Sequence, residues 1–115
     1  MKPDLKEAFT AELAAARGAL RRDALHEAFR HLERAHIVGQ RHTGPHVTVH
    51  WWMLRIAMRR GDPREVLGQL VRIVAALIFS RIWVPPGNTG GADVSAFRPM
   101  PVPEDLRQWT EDPYR

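Results

Sequence analysis

Apolar residues recur every three to four positions through most of the first eighty residues, a spacing that predicts helices and no strands. The first helix is expected from about Pro3 to Leu20. Pro3 suits a first helical turn, Leu13-Ala14-Ala15-Ala16 has high helix propensity, and Gly18 is a candidate break near the end. The second is expected to begin behind Asp23 as its N-cap and to run to Val38, with Gly39 in the stop position. The third is expected from Pro45 to Arg60, ended by Gly61. The fourth has the clearest start, because Asp62-Pro63-Arg64-Glu65 places an acceptor at the N-cap, proline at N1 and glutamate at N3. It should continue to about Trp83, where Pro85-Pro86 must end it.

Loops of a few residues between successive helices imply antiparallel hairpins. The expected fold is therefore all-α: two antiparallel helical hairpins, tetratricopeptide-like, with an extended C-terminal tail. Ala28, Leu32 and Ala35 recur as Val66, Leu70 and Ile73 at an offset of 38 residues, against 34 for a true tetratricopeptide repeat. One domain is expected over residues 1–115, with a helical body over about 3–84 and an irregular tail over about 85–115. In that tail Gly87-Asn88-Thr89-Gly90-Gly91 forms a tight loop and Pro99-Met100-Pro101-Val102-Pro103 is extended. Pro103-Glu104-Asp105-Leu106 can open one last short helix. Val94, Phe97, Met100 and Val102 are expected to cover apolar surface left by the hairpins.

The histidines change the picture. On a helical wheel His46 and His50 fall at the centre of the third helix's apolar face, one turn apart, with Met53 and Ala57. His36 falls inside the apolar arc of the second helix, and His31 lies at its edge. A buried imidazole needs partners for its ring nitrogens, and histidines at i and i+4 are a geometry that chelates a metal ion from one helix. The fourth helix is apolar around most of its circumference, which argues for a central place in the bundle. Its polar residues Glu65, Gln69 and Arg72 share one stripe with Ala76. If that stripe faces inward, Glu65 can complete a metal site or accept from a histidine. The ligand set expected is His36, His46, His50 and Glu65, with His31, Gln69 and Arg72 as supporting or structural polar groups. Asn88, Thr89, Gly90 and Gly91 form a candidate binding loop. The competing reading is a structural network in which the histidines bond to carbonyls and to one another.

Composition narrows the chemistry. With no cysteine among 115 residues, thiolate sites and disulfides are excluded. Imidazole and carboxylate donors suit Zn²⁺, Ni²⁺, Co²⁺ or Cu²⁺ better than Cu⁺ or Hg²⁺. The net charge of +4 is uneven: residues 1–60 carry 11 basic against 6 acidic side chains, residues 85–115 only 3 against 5. A solvated arginine-rich surface explains this more simply than nucleic-acid binding. The longest apolar run, Ile73 to Phe79, is too short for a membrane span, and the N-terminus lacks the apolar region of a secretory signal, so a cytoplasmic location is expected. No serine or threonine sits in a nucleophile setting, Glu33-Arg34-Ala35-His36 occurs only once, and the glycine loop lacks the lysine of a phosphate loop. An enzyme is not expected. Trp51, Trp52, Trp83 and Trp109 are expected in core and lid packing.

Five segments together carry a resemblance: His31-Leu32-Glu33-Arg34-Ala35-His36, Val49-His50-Trp51-Trp52-Met53-Leu54, Glu65-Val66-Leu67-Gly68-Gln69, Gly87-Asn88-Thr89-Gly90-Gly91 and Pro99-Met100-Pro101. The chain resembles, from about Leu5 to Leu106, a family of small bacterial proteins with a domain of unknown function. The resemblance brings no activity with it. It implies a setting among heavy-metal resistance genes on mobile elements, which favours transition-metal binding or sensing. The absence of thiolates counts against mercury or cuprous ions. The alternative is a helical-repeat adaptor for a protein partner or a second copy, with structural histidines; nucleic-acid binding is third.

Overall fold

The computed structural model describes residues 1–80 and 82–110, so the expected tail beyond residue 110 lies outside the described residues. Four helices form: α1 (Pro3–Arg21), α2 (Leu25–Gly39), α3 (Thr43–Arg60) and α4 (Pro63–Phe79), followed by a short 3₁₀ helix, η1 (Glu104–Trp109). Among the described residues there is no strand, and the all-α expectation holds. The connections are two or three residues long, and packing runs in chain order, α1 on α2, α2 on α3, α3 on α4. The core lies between α1, α2 and α3 and holds Leu5, Phe9, Ala19, Phe29, Leu32, Val49, Met53 and Ile56. The offset of 38 residues does not carry equal roles, since Ala28, Leu32 and Ala35 are buried while Leu70 is about half exposed.

Local chemistry corrects several boundaries. Asp23 does not cap α2. It sits in the left-handed region (φ 58°) and closes α1 in a Schellman turn, with Ala24 N donating to Ala19 O and Asp23 N to Leu20 O. Gly18 leaves α1 unbroken. Gly39 does not stop α2 but belongs to its last turn; a Cβ there would lie 2.8 Å from the Phe9 ring, so glycine admits close approach of α1. Gly61 (φ 65°) ends α3 as expected, and Asp62 Oδ1 caps α4 by accepting from Glu65 N at 3.1 Å. The reciprocal half of that capping box is missing, because the Glu65 carboxylate is engaged elsewhere. α4 stops at Phe79, short of Trp83.

The placement of α4 departs most from expectation. It is not central; it packs on α3 at the edge of the array and turns its polar stripe inward, burying Gln69 and Ala76. Its apolar residues Leu67, Leu70, Val71, Val74, Leu77 and Ile78 point outward and are 48–64% exposed. Trp51 and Trp83 are also half exposed, while Trp52 stacks under the Arg17 and Arg55 guanidinium groups.

The tail returns across the bundle. Asn88 is fully buried and ties it together, its Nδ2 donating to Ser95 O and Arg98 O and its Oδ1 accepting from Gly90 N. Leu106 plugs the core beside Val102 and Trp109, and Asp105 pairs with Arg34, which also binds Glu12 on α1. Phe97, expected among the covering residues, is 66% exposed. If the docked tail closes the core, Leu106→Ala will cost about 2–4 kcal/mol. Urea unfolding followed by circular dichroism measures this, and a cost under about 0.5 kcal/mol, the level of an ordinary surface change, would refute the docking.

Candidate metal centre

The α2–α3 turn is only three residues long, so the last turn of α2 lies against the first turns of α3. That brings the His36 ring against those of both His46 and His50. All three are buried, with ring centroids 4.7–4.8 Å apart. His36 Nε2 lies 3.0 Å from His46 Nε2 and 3.1 Å from His50 Nε2. Among the described residues these three histidines are the group whose ligand atoms could hold a metal ion.

The outward nitrogens determine what the inward ones can do. His36 Nδ1 lies 2.7 Å from the Asn88 carbonyl oxygen, which can only accept, so this nitrogen carries the proton. Ser80 Oγ donates to Ala76 O, and its lone pairs accept from His46 Nδ1 at 2.8 Å. Gln69 Nε2 donates to Glu65 Oε2 at 2.8 Å and Gly90 O at 3.1 Å, which turns Gln69 Oε1 toward His50 Nδ1 at 2.6 Å to accept. Every Nδ1 therefore holds its ring's proton, and each neutral ring presents a bare Nε2 lone pair to the other two.

His36 Nε2 thus faces two other acceptors at hydrogen-bond distance with no donor between them, and these lone pairs repel. The rings do not relieve this readily by protonation. Burial and the His50 imidazole push His46 down to about 3, burial with the Arg72 guanidinium nearby pushes His50 down to about 4, and His36 is held well below the usual imidazole range by burial and by both neighbours. A tetrahedral ion bound at 2.0–2.1 Å needs its nitrogens roughly 3.3 Å apart, so the two His36 pairs would open by only a few tenths of an ångström to admit one. The three rings also line a mostly apolar cavity of about 50 Å³, shared with Gln40, Arg72, Ala76, Phe79 and Trp83.

The remaining expected residues fall behind this centre or away from it. Glu65 is not beside the imidazoles: its carboxylate accepts from Gln69 Nε2 and from Ala92 N at 2.9 Å, one hydrogen bond behind His50. Gln69 supports His50 directly. Arg72 reaches past the centre to Gly68 O and Val94 O. His31 is elsewhere, paired with Glu12 between α1 and α2 at 2.9 Å. The loop Asn88–Gly91 grips a histidine of this chain: besides the Asn88 carbonyl, Gly90 (φ 86°) packs so close that a Cβ would lie 2.5 Å from His36 Cδ2. Thr89 hydrogen-bonds the half-buried Glu33, whose carboxyl is pushed up by burial and by Asp93. Sequence reasoning missed Ser80, although it extends the Gln69–Arg72–Ala76 stripe by one more turn.

Residues 3–110 match the family described as protein of unknown function (DUF3703), and the chain belongs to that family. No curated protein and no solved structure matches it.

The buried imidazoles set a pH response for the metal-free protein. Above pH 6.5 they are neutral in both the folded and unfolded chain and cost nothing. Between 6.5 and about 4 the unfolded chain binds protons that the folded one refuses, so stability falls as pH falls through that window. Urea midpoints in chelator from pH 8 to pH 4.5 will show this decline, and His50→Gln will flatten it. A wild-type profile that stays flat would mean the rings take up protons freely.

Proposed function

We propose that this protein binds one divalent transition-metal ion through the Nε2 atoms of His36, His46 and His50, and that it acts as a non-catalytic metal-binding or metal-sensing protein. The observation that carries this is the commitment of all three Nδ1 protons to outward acceptors, which leaves three converging lone pairs. A network serving only structure would place a donor among them; a cation satisfies all three at once. Outward hydrogen bonds from metal-bound imidazoles fix tautomer and orientation and raise ligand basicity, the role here of the Asn88 carbonyl, Ser80 and Gln69, with Glu65 behind.

The donor set selects the ion. Three neutral nitrogens and no thiolate favour Zn²⁺, Ni²⁺, Co²⁺ or Cu²⁺ over Cu⁺ and Hg²⁺. Any further ligand would come from the cavity that the rings line. A place in heavy-metal resistance, implied by the sequence resemblance, is compatible with divalent ions of this class. A cytoplasmic site fits the same picture, since no helix of the described residues is long and apolar enough to cross a membrane.

Chelator-treated, untagged protein titrated with each ion at pH 7.5 tests the proposal. At a hundredfold excess over Kd a bound ion adds about 2.7 kcal/mol, a rise of roughly 10 °C in Tm for a domain this size. His46→Ala and His50→Ala will lose the rise. Ser80→Ala, which leaves the ligands in place, will bind roughly 10–100-fold more weakly. Co²⁺ will give the intense visible absorption of a four-coordinate site. No shift with any ion would end the metal reading and leave a protein-binding adaptor with structural histidines.

A further inference from the structure

The outward face of α4 has a pattern of its own. Leu67, Leu70, Val74 and Leu77 follow three-four-three spacing, with Val71 and Ile78 flanking, the seam by which one helix packs on another. Nothing in the described fold covers it. With Phe79 these residues expose on the order of 700 Å², above the ~300–600 Å² of the largest apolar patch on an ordinary monomer and close to the ~800 Å² each partner brings to a standard interface. The seam holds no charged side chain: between Arg64 and Ser80 the charges of α4 are Glu65 and Arg72, both on the inward stripe. A chain of net charge +4 can meet a copy of itself there without opposing charges.

The ends of the face differ in a complementary way. Beside its N-terminal half, between α3 and α4, runs a shallow apolar groove of about 570 Å³, lined by Ala57, Met58, Val66 and Leu70. Beyond its C-terminal end project Ile82, 77% exposed, and Trp83, 52% exposed. A groove at one end and bulky apolar side chains at the other is what a two-fold antiparallel pairing requires, because each copy then offers its projection to the other's groove. A parallel pairing would set groove against groove.

We propose that the chain forms a homodimer through α4, antiparallel across a two-fold axis near Val74. Trp83 of each copy enters the groove of the other, Leu70 meets Ile78 of the second copy, and Val71 meets Leu77. Phe79 and Trp83 also border the histidine cavity, so the second copy stands at its mouth.

The test is the mass of the full-length protein in chelator, by sedimentation equilibrium at 5–100 µM, so that it does not depend on metal binding. Wild type will sediment as twice the chain mass. Val74→Glu, at an already exposed position, will sediment as a monomer with unchanged helical circular dichroism. Because the chain lacks cysteine, Val74→Cys will oxidise to a covalent dimer while Leu67→Cys, far from its own copy, will not. Wild type that is monomeric throughout, or Val74→Glu that remains dimeric, overturns the proposal. Equal cross-linking of Leu67→Cys overturns the antiparallel arrangement, and a wild-type monomer that co-sediments with phospholipid vesicles assigns the face to lipid instead.

Discussion

Three imidazole nitrogens that can only accept, with His36 Nε2 held 3.0 Å from His46 Nε2 and 3.1 Å from His50 Nε2, are the constraint around which the rest of this structure is arranged. Apolar burial gathers α1, α2 and α3, but it does not specify ring orientation. That is specified from outside the centre, by an acceptor drawn from a different element for each ring: a tail carbonyl for His36, the serine after α4 for His46, a side-chain amide within α4 for His50. Each acceptor is itself fixed. Ser80 spends its proton on Ala76, Gln69 spends both of its amide protons on Glu65 and Gly90, and the Asn88 side chain laces three backbone groups of its loop. Three acceptors held this firmly from outside set the geometry of the centre more rigidly than packing could.

This explains the inverted orientation of α4. An amphipathic helix ordinarily buries its apolar side because that side has the larger transfer free energy. Here Gln69, Ser80 and the small Ala76 sit inside, where the first two spare His50 and His46 the roughly 1–3 kcal/mol that each buried ring would lose without an acceptor. The helix therefore faces the bundle with its polar stripe and leaves its apolar surface to be satisfied elsewhere.

Much of this was legible in the sequence. Helical periodicity and the Asp62-Pro63 cap give the four helices, and the wheel positions of His36, His46 and His50 give the three inward rings. The polar stripe of α4 was readable as well, but its hydrophobicity argued for a central helix, since one-dimensional patterning cannot say that a polar face will be claimed by a neighbour's imidazoles. Asp23 misled because the residue types that cap an N-terminus are also those that tolerate a left-handed turn at a C-terminus. Glu65 was placed one bond too close, because a glutamate and a glutamine one turn apart on the same stripe cannot be ranked by depth without coordinates. The Asn88 carbonyl was beyond sequence reasoning altogether, as a backbone acceptor carries no residue signature.

The order of these groups along the chain has a consequence for biosynthesis. All three imidazoles lie within the stretch from His36 to His50, whereas the groups that orient them come later, at Gln69, Ser80 and Asn88. At translation rates of 5–20 residues per second, a nascent chain carries the histidines for about 2–8 s before Asn88 is added. During that interval the rings are free to exchange tautomers and to chelate as any histidine-bearing peptide would. On the proposed metal-binding reading, discrimination among ions would be a late acquisition of the growing polypeptide, conferred as Gln69, Ser80 and Asn88 join a hairpin that already carries the three imidazoles.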